Sequence, residues 1–218
     1  MLPRIFIGGT GRSGTGILHK ALGCHKAIYA LEPGEMRFLV DPDGLINLLD
    51  ALTVRYSIVQ AREALFKFER LMQVYLTIPQ IAPYKGYNLA HSLGGEYYWQ
   101  RLYEFCSELV EAEFSGTDLQ VNPADEVRLD DWGGIPARLT LSRTQLKIVK
   151  YFPDKNRLFA LAAAFVDDLF LHSAYKRGKQ TWCEKTPLNL LHIDFLWELF
   201  PESVFIHIKR DPRGVVHL

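Results

Sequence analysis

Apolar residues along the chain follow two rhythms. Ile5-Phe6-Ile7 is a short β-branched and aromatic run without alternation, as in a strand buried on both faces. Gly8-Gly9-Thr10-Gly11-Arg12-Ser13-Gly14-Thr15-Gly16 follows. Ile17, Leu18, Ala21 and Leu22 then recur at helical spacing up to a stop at Gly23. Residues 28–31 predict a second short strand. From about 42 to 135 the spacing is helical instead. Asp43 is placed to cap a helix carrying Leu45, Leu48, Leu49 and Leu52. Leu65, Phe68, Leu71, Met72 and Tyr75 predict a helix over 58–76, and 95–113 reads as a third. Pro79, Pro83, Gly86, Gly94, Gly95, Pro123, Gly133, Gly134 and Pro136 break this region into helices and loops.

The C-terminal third returns to alternation. Asp154 or Asn156 caps a helix with Leu158, Leu161, Ala162, Phe165 and Leu169 inward, ending at Gly178. Residues 180–183 form a short strand. Pro187 opens a helix with Leu188, Leu191, Phe195, Leu196 and Leu199 on one face, and Pro201 stops it. Residues 203–208 are the clearest strand, and Asp211 and Pro212 read as the N-cap and first residue of a further helix. Strands alternating with helices, without hairpin signals, predict an α/β fold. Its core is a central parallel sheet flanked by helices, interrupted by the helical insertion over about 42–135.

Composition narrows the function classes. The chain has 218 residues, 48% of them hydrophobic and 23% charged. At this mass a folded monomer exposes roughly 10,000 Å² of the ~36,000 Å² of the extended chain, so one core over 1–218 needs neither disulfide nor metal. Lys and Arg number 25 against 25 Asp and Glu, a balance that argues against a nucleic-acid partner. No apolar run reaches the ~20 residues of a membrane span. The three cysteines, Cys24, Cys106 and Cys183, are odd in number and far apart. The N-terminus has no long apolar leader, so a reduced, cytoplasmic compartment is expected. Residues 1–31 hold Arg4, Arg12, Lys20 and Lys26 and no acid, which suits an anionic ligand. Residues 96–131 hold ten acids against Arg101 and Arg128, as on a solvated face.

Three constellations carry candidate chemistry. In the first, a glycine-rich turn between a buried strand and a helix lets backbone N–H groups converge on an anion, with the helix N-terminus behind them. Arg12 adds a positive fork, and Ser13 and Thr15 add hydroxyls. Gly9-x-x-x-x-Gly14 has P-loop spacing, but Thr15 stands where a nucleotide-binding lysine would follow. The second is Glu184-Lys185-Thr186-Pro187 at the end of a predicted strand, where open α/β sheets bind ligands. The third is Phe205-Ile-His-Ile-Lys-Arg210-Asp211-Pro212-Arg213-Gly214-Val215-Val216, another strand that ends in a basic cluster. Arg210 and Arg213 stand where a second phosphate could be held. Taken singly, each has a plainer reading as a structural turn or a surface ion-pair network. The seven histidines show no metal spacing, and no metal is expected.

In this order, Gly11-Arg-Ser-Gly-Thr15, Glu-Lys-Thr-Pro and Ile-Lys-Arg-Asp-Pro-Arg-Gly-Val-Val resemble the P-loop-like sulfotransferases. The bacterial sulfotransferase-family proteins and the tyrosylprotein sulfotransferases are the most similar in flavour. The resemblance covers residues 4–40 and 180–217. It implies sulfuryl transfer from 3′-phosphoadenosine 5′-phosphosulfate (PAPS), as co-substrate, to a hydroxyl or amine of a small-molecule, carbohydrate, lipid or peptide acceptor. It further implies that Gly11, Arg12, Ser13, Gly14, Thr15 and Gly16 hold the 5′-phosphosulfate and Arg210 the 3′-phosphate. Lys185 would lie near the bridging oxygen of the donor. The family often has threonine where Gly16 stands. Its partner serine, eight residues beyond the arginine, corresponds to Leu218, so the resemblance implies a C-terminally truncated product. Relatives carry a basic glutamate in a Glu-x-Arg pattern after the first helix. Glu35-Met36-Arg37 fits it, with Glu32 as the rival base. The expected catalytic residues are therefore Glu35, Lys185 and Arg12. A P-loop kinase using ATP and a nucleotide-binding fragment without turnover are the alternatives.

Overall fold

The computed structural model describes residues 2–32, 34–77, 92–121 and 139–216. The predicted breaks at Pro79, Pro83, Gly86, Pro123, Gly133, Gly134 and Pro136 lie outside the described residues, as does Leu218. Strand β1, Ile5–Gly9, is buried at all five positions, which explains its unbroken apolar run. Helix α1, Thr15–Gly23, returns the chain to β2, Ile28–Ala30. Helices α2 (Leu45–Leu52), α3 (Ile58–Thr77) and α4 (Glu96–Leu109) come next, and then a long antiparallel pair, β3 (Val110–Val121) with β4 (Leu139–Val149). Helix α5, Lys155–Tyr175, leads to β5, Thr181–Lys185. A 3₁₀ turn, Pro187–His192, and helix α6, Ile193–Leu199, lead to β6, Val204–Ile208, and helix α7, Pro212–Val216.

Strands β2, β5, β1 and β6 lie side by side in that order, all parallel. The protein is thus a mixed α/β fold whose central four-stranded parallel sheet is flanked by helices. Alternate strand residues face opposite layers. Phe6 and Trp182 point into the main core, their rings edge to face at 5.2 Å, with Phe170 of α5 at 5.0 Å from Trp182. Phe68 of α3, Phe105 of α4 and Phe165 of α5 extend that core outward. Ile5, Ile7 and Cys183 face the other layer, where Leu18 and Leu22 of α1 pack. Asp167 ties α5 to the sheet. It accepts from Arg4 Nε at 2.6 Å, Arg4 Nη2 at 2.5 Å and Trp182 Nε1 at 2.7 Å.

Several expectations change in detail. In α1, Thr15 and His19 are the buried residues, while Ile17 is 78% exposed, because the helix turns its 15/19 edge toward β5. Asp43 does not cap α2. It lies at φ 63°, its N–H donates to Asn47 Oδ1, and Gly44 occupies the cap. The helix predicted over 95–113 ends at Leu109, and β3 begins where Val110, Ala112 and Phe114 alternate with Glu111, Glu113 and Ser115. The region expected to be helical over about 42–135 therefore includes the strand β3, whose partner β4 lies beyond it. The single helix expected from Pro187 is a 3₁₀ turn followed by α6. In a 3₁₀ turn residues i and i+3 eclipse, so Leu188 and Leu191 share the outer side and are exposed, while Leu196 and Leu199 are buried. Asp154, not Asn156, caps α5, accepting the Asn156 N–H at 3.0 Å. Helix α5 is also long and apolar enough to cross a membrane by length and composition. Half of its most apolar stretch is buried inside the fold, where it packs as a core helix.

Candidate functional site

Parallel pairing decides which sequence-distant segments meet. Ile7 of β1 lies opposite Lys185 of β5, and Gly9 lies opposite Ile208 of β6. The glycine-rich loop, the Glu-Lys-Thr-Pro turn and the Arg210 segment thus leave the carboxyl ends of three adjacent strands, with the glycine loop in the middle. That end of an open parallel sheet is where ligands bind in such folds.

The glycine loop closes tightly. The Ser13 N–H donates to Thr10 O at 3.2 Å, and Gly14 O accepts from Ile17 and Leu18 to start α1. Arg12 adopts the left-handed region at φ 64°, which a non-glycine residue enters only when its surroundings hold it there. Gly9 has to be glycine, because a Cβ there would stand 2.8 Å from both Ile208 O and Ser13 Oγ. The sides of Gly11, Gly14 and Gly16 face open space instead, with nothing within 4 Å. The N–H groups of Thr15 and Gly16, ahead of the bond from Ile17, have no carbonyl within the helix to reach. The Ser13 hydroxyl, on a residue only 7% exposed, has no hydrogen-bond partner among the described residues. A buried donor without a partner beside open glycines fits a loop that completes its bonding on an anion. Gly11 to Gly16 and Ser13 therefore fit the phosphosulfate end of the expected co-substrate.

Arg210 leans on this loop, its Nη1 donating to Arg12 O at 3.0 Å. Its guanidinium is exposed and reaches the loop backbone from the β6 side. Arg213 does not join it. Both its Nε and Nη2 are held by Asp211, whose Oδ1 also accepts the Arg213 N–H at 2.9 Å as the cap of α7.

On the β5 side, Lys185 Nζ stands 2.6 Å from Glu35 Oε1, with the side chains 15% and 27% exposed. Glu35 lies on the loop after β2. Glu32 is exposed, and Pro33 lies outside the described residues. Glu184, the residue before Lys185, is fully buried. Its carboxylate accepts the Met36 N–H at 2.9 Å, the Thr186 hydroxyl at 2.5 Å and the Asn189 amide at 2.5 Å. Burial pushes its carboxyl up to about 7, against the opposing pull of those three donors and Lys185. His19 of α1 contacts Cys183 O at 3.0 Å, and burial holds its pKa below the ordinary value. Burial also pushes the Cys183 thiol up to about 12, so it is no nucleophile.

Of the sequence-predicted residues, the structure gathers Gly11 to Gly16, Lys185, Glu35 and Arg210 at one end of the sheet. Glu184, Asn189 and His19 were not singled out as functional by the sequence. For Glu184 the one signal was its place in the Glu-Lys-Thr-Pro tetrapeptide. Among the described residues, no group of three or more His, Cys, Asp or Glu side chains is arranged to hold a metal ion. A family model described as the Sulfotransferase family matches residues 111–217. That match takes in the Lys185 and Arg210 segments and leaves out the glycine loop and Glu35. No curated protein and no solved structure matches the chain.

Proposed function

We propose, from the premise that over residues 111–217 this chain belongs to the Sulfotransferase family, that it transfers a sulfuryl group from PAPS to a hydroxyl or amine acceptor. One observation carries the reading. The glycine loop, Lys185 and Arg210 share the carboxyl ends of β1, β5 and β6, with the Ser13 hydroxyl left without a partner among the described residues. The donor supplies an activated sulfonate on a phosphate leaving group. Loop N–H groups, Ser13 and Arg12 bind its negative oxygens. Lys185 neutralises charge that builds on the leaving phosphate as the sulfur–oxygen bond breaks. Glu35 takes the proton of the acceptor as it attacks sulfur. Arg210 holds the 3′-phosphate from the β6 side. The roles of Arg and Lys here parallel those of the cations that stabilise phosphoryl transfer. The three unpaired cysteines suit a reducing, cytoplasmic location, which is part of the same proposal.

Calorimetry tests the reading. Adenosine 3′,5′-bisphosphate is expected to bind without added metal and more tightly than ATP with Mg²⁺. Arg12→Ala should weaken that binding by ~1–3 kcal/mol, the usual worth of a charge-assisted hydrogen bond. Preference for ATP with Mg²⁺ would make the site a kinase site, and an unchanged affinity in Arg12→Ala would reduce the loop to a structural turn.

A further inference from the structure

The Glu35 loop has to be held against β5, and the bonds that hold it are unequal. Lys185 N–H donates to Gly34 O at 3.2 Å, and Met36 N–H donates to Glu184 Oε1 at 2.9 Å. Glu35 sits between these two bonds, which come from consecutive residues of one strand. Gly34 permits the bracket, since its φ of 105° is one that side-chain-bearing residues rarely adopt. The first bond is an ordinary backbone pair. The second depends on a side chain.

That side chain is buried at some cost. A carboxylate with no exposed surface and, among the described residues, no cation in direct contact is unfavourable unless donors surround it. Three do so, from three separate segments: Met36 of the Glu35 loop, Thr186 at the end of β5, and Asn189 of the 3₁₀ turn. Oε1 takes Met36 and Thr186, and Oε2 takes Asn189. A shorter acid would not span from β5 to the Met36 amide, and an apolar residue would leave buried donors unpaired.

We propose that Glu184 is a positioning residue, which fixes Glu35 against Lys185 by clamping the Met36 amide to the end of β5. This rests on the proposed role of Glu35 as base. Glu184 acts through geometry and never touches the reacting atoms. A glutamine can do the same work. Its Oε1 accepts from Met36 and Thr186, and its amide donates to Asn189 once the Asn189 amide turns over to present oxygen.

The test compares Glu184→Gln, Glu184→Asp and Glu184→Ala in the full chain. Kinetics use PAPS with a panel of phenol, sugar and tyrosine-peptide acceptors, and calorimetry uses adenosine 3′,5′-bisphosphate. Glu184→Gln should keep kcat within about threefold of the parent. Glu184→Asp and Glu184→Ala should lower kcat at least about tenfold, as expected of a displaced reacting group, while bisphosphate affinity stays within about threefold. Amide exchange at Met36 should speed up about tenfold or more in the Asp and Ala variants, with the amides of β1 unchanged. The proposal is overturned if Glu184→Asp keeps full turnover, if Glu184→Gln falls as far as Glu184→Ala, or if affinity and turnover fall together. Should Glu184→Ala not fold, Glu184→Asp carries the test alone. Should the parent transfer no sulfuryl group, the Proposed function fails, while the Met36 exchange result still decides whether Glu184 is the clamp.

Discussion

Glu35 and Lys185 lie 150 positions apart in the chain and meet at 2.6 Å between Oε1 and Nζ. Each is mostly shielded, so the pair is screened less than a surface salt bridge. Lys185 belongs to the strand that borders the central one, and Glu35 to the loop that follows the next strand out. The contact therefore reports the strand order as much as the two side chains.

Lys185→Met should lower kcat far more than it weakens bisphosphate binding. In the proposed reaction the ammonium would matter most when charge develops on the leaving phosphate, an interaction lost from the transition state and not from the ground state. Steady-state kinetics alongside calorimetry separate the two. Equal losses in both would assign Lys185 to ground-state binding.

Glu35→Gln should cost ~10²–10⁴-fold in turnover, the usual worth of a general base. Bisphosphate affinity should survive, because Glu35 carries no donor contact in this scheme. Glu32→Gln should cost little, since that side chain is exposed whereas Glu35 is the carboxylate paired with Lys185. A reversal of the two effects would move the base to Glu32.

Stability should depend on pH through Glu184. Its carboxyl titrates near 7 in the fold against an ordinary 4.5, so the folded protein holds an extra proton between those values. Stability then falls as pH rises through that window. The cost is absent below it and complete above it, on the order of 3 kcal/mol. Glu184→Gln should flatten this slope, leaving the variant as stable as the parent at low pH and more stable near pH 8. Urea unfolding of both proteins across that range measures the difference, in which the contribution of His19 cancels. Parallel slopes would show that Glu184 is ionised throughout.

Asp167→Ala should destabilise the fold by ~3 kcal/mol, the low end for removing one partner of a buried pair, because the Asp167 side chain is 24% exposed. It leaves the Arg4 guanidinium and the Trp182 N–H without their shared acceptor. A loss below about 1 kcal/mol in urea unfolding would mean that water replaces the carboxylate.

Much of the frame was legible because it is written in local pattern. The unbroken run at Ile5, the glycines after it and the Asp211-Pro212 cap each specify their element through nearest neighbours. The hairpin of β3 and β4 was written there too, in the alternation from Val110 to Phe114. It escaped because no two-residue turn joins its strands, and the acids Glu111 and Glu113 also suit a helix. Ile17 went the other way. Its spacing suits a buried helix face, yet the side toward β5 is taken by Thr15 and His19.

The sequence by itself determined the strand–loop–helix units, the residue types at their ends and hence the kind of ligand those ends favour. These follow from periodicity, backbone freedom and charge within a few residues. Only the tertiary structure decided that β1 lies between β5 and β6, and so that three basic or glycine-rich ends face one space. It alone brought Glu35 against Lys185, and turned Arg213 back onto Asp211. It alone buried Glu184. The physical reason is that burial and strand order are set by packing between segments more than a hundred residues apart, and no window along the chain contains both partners.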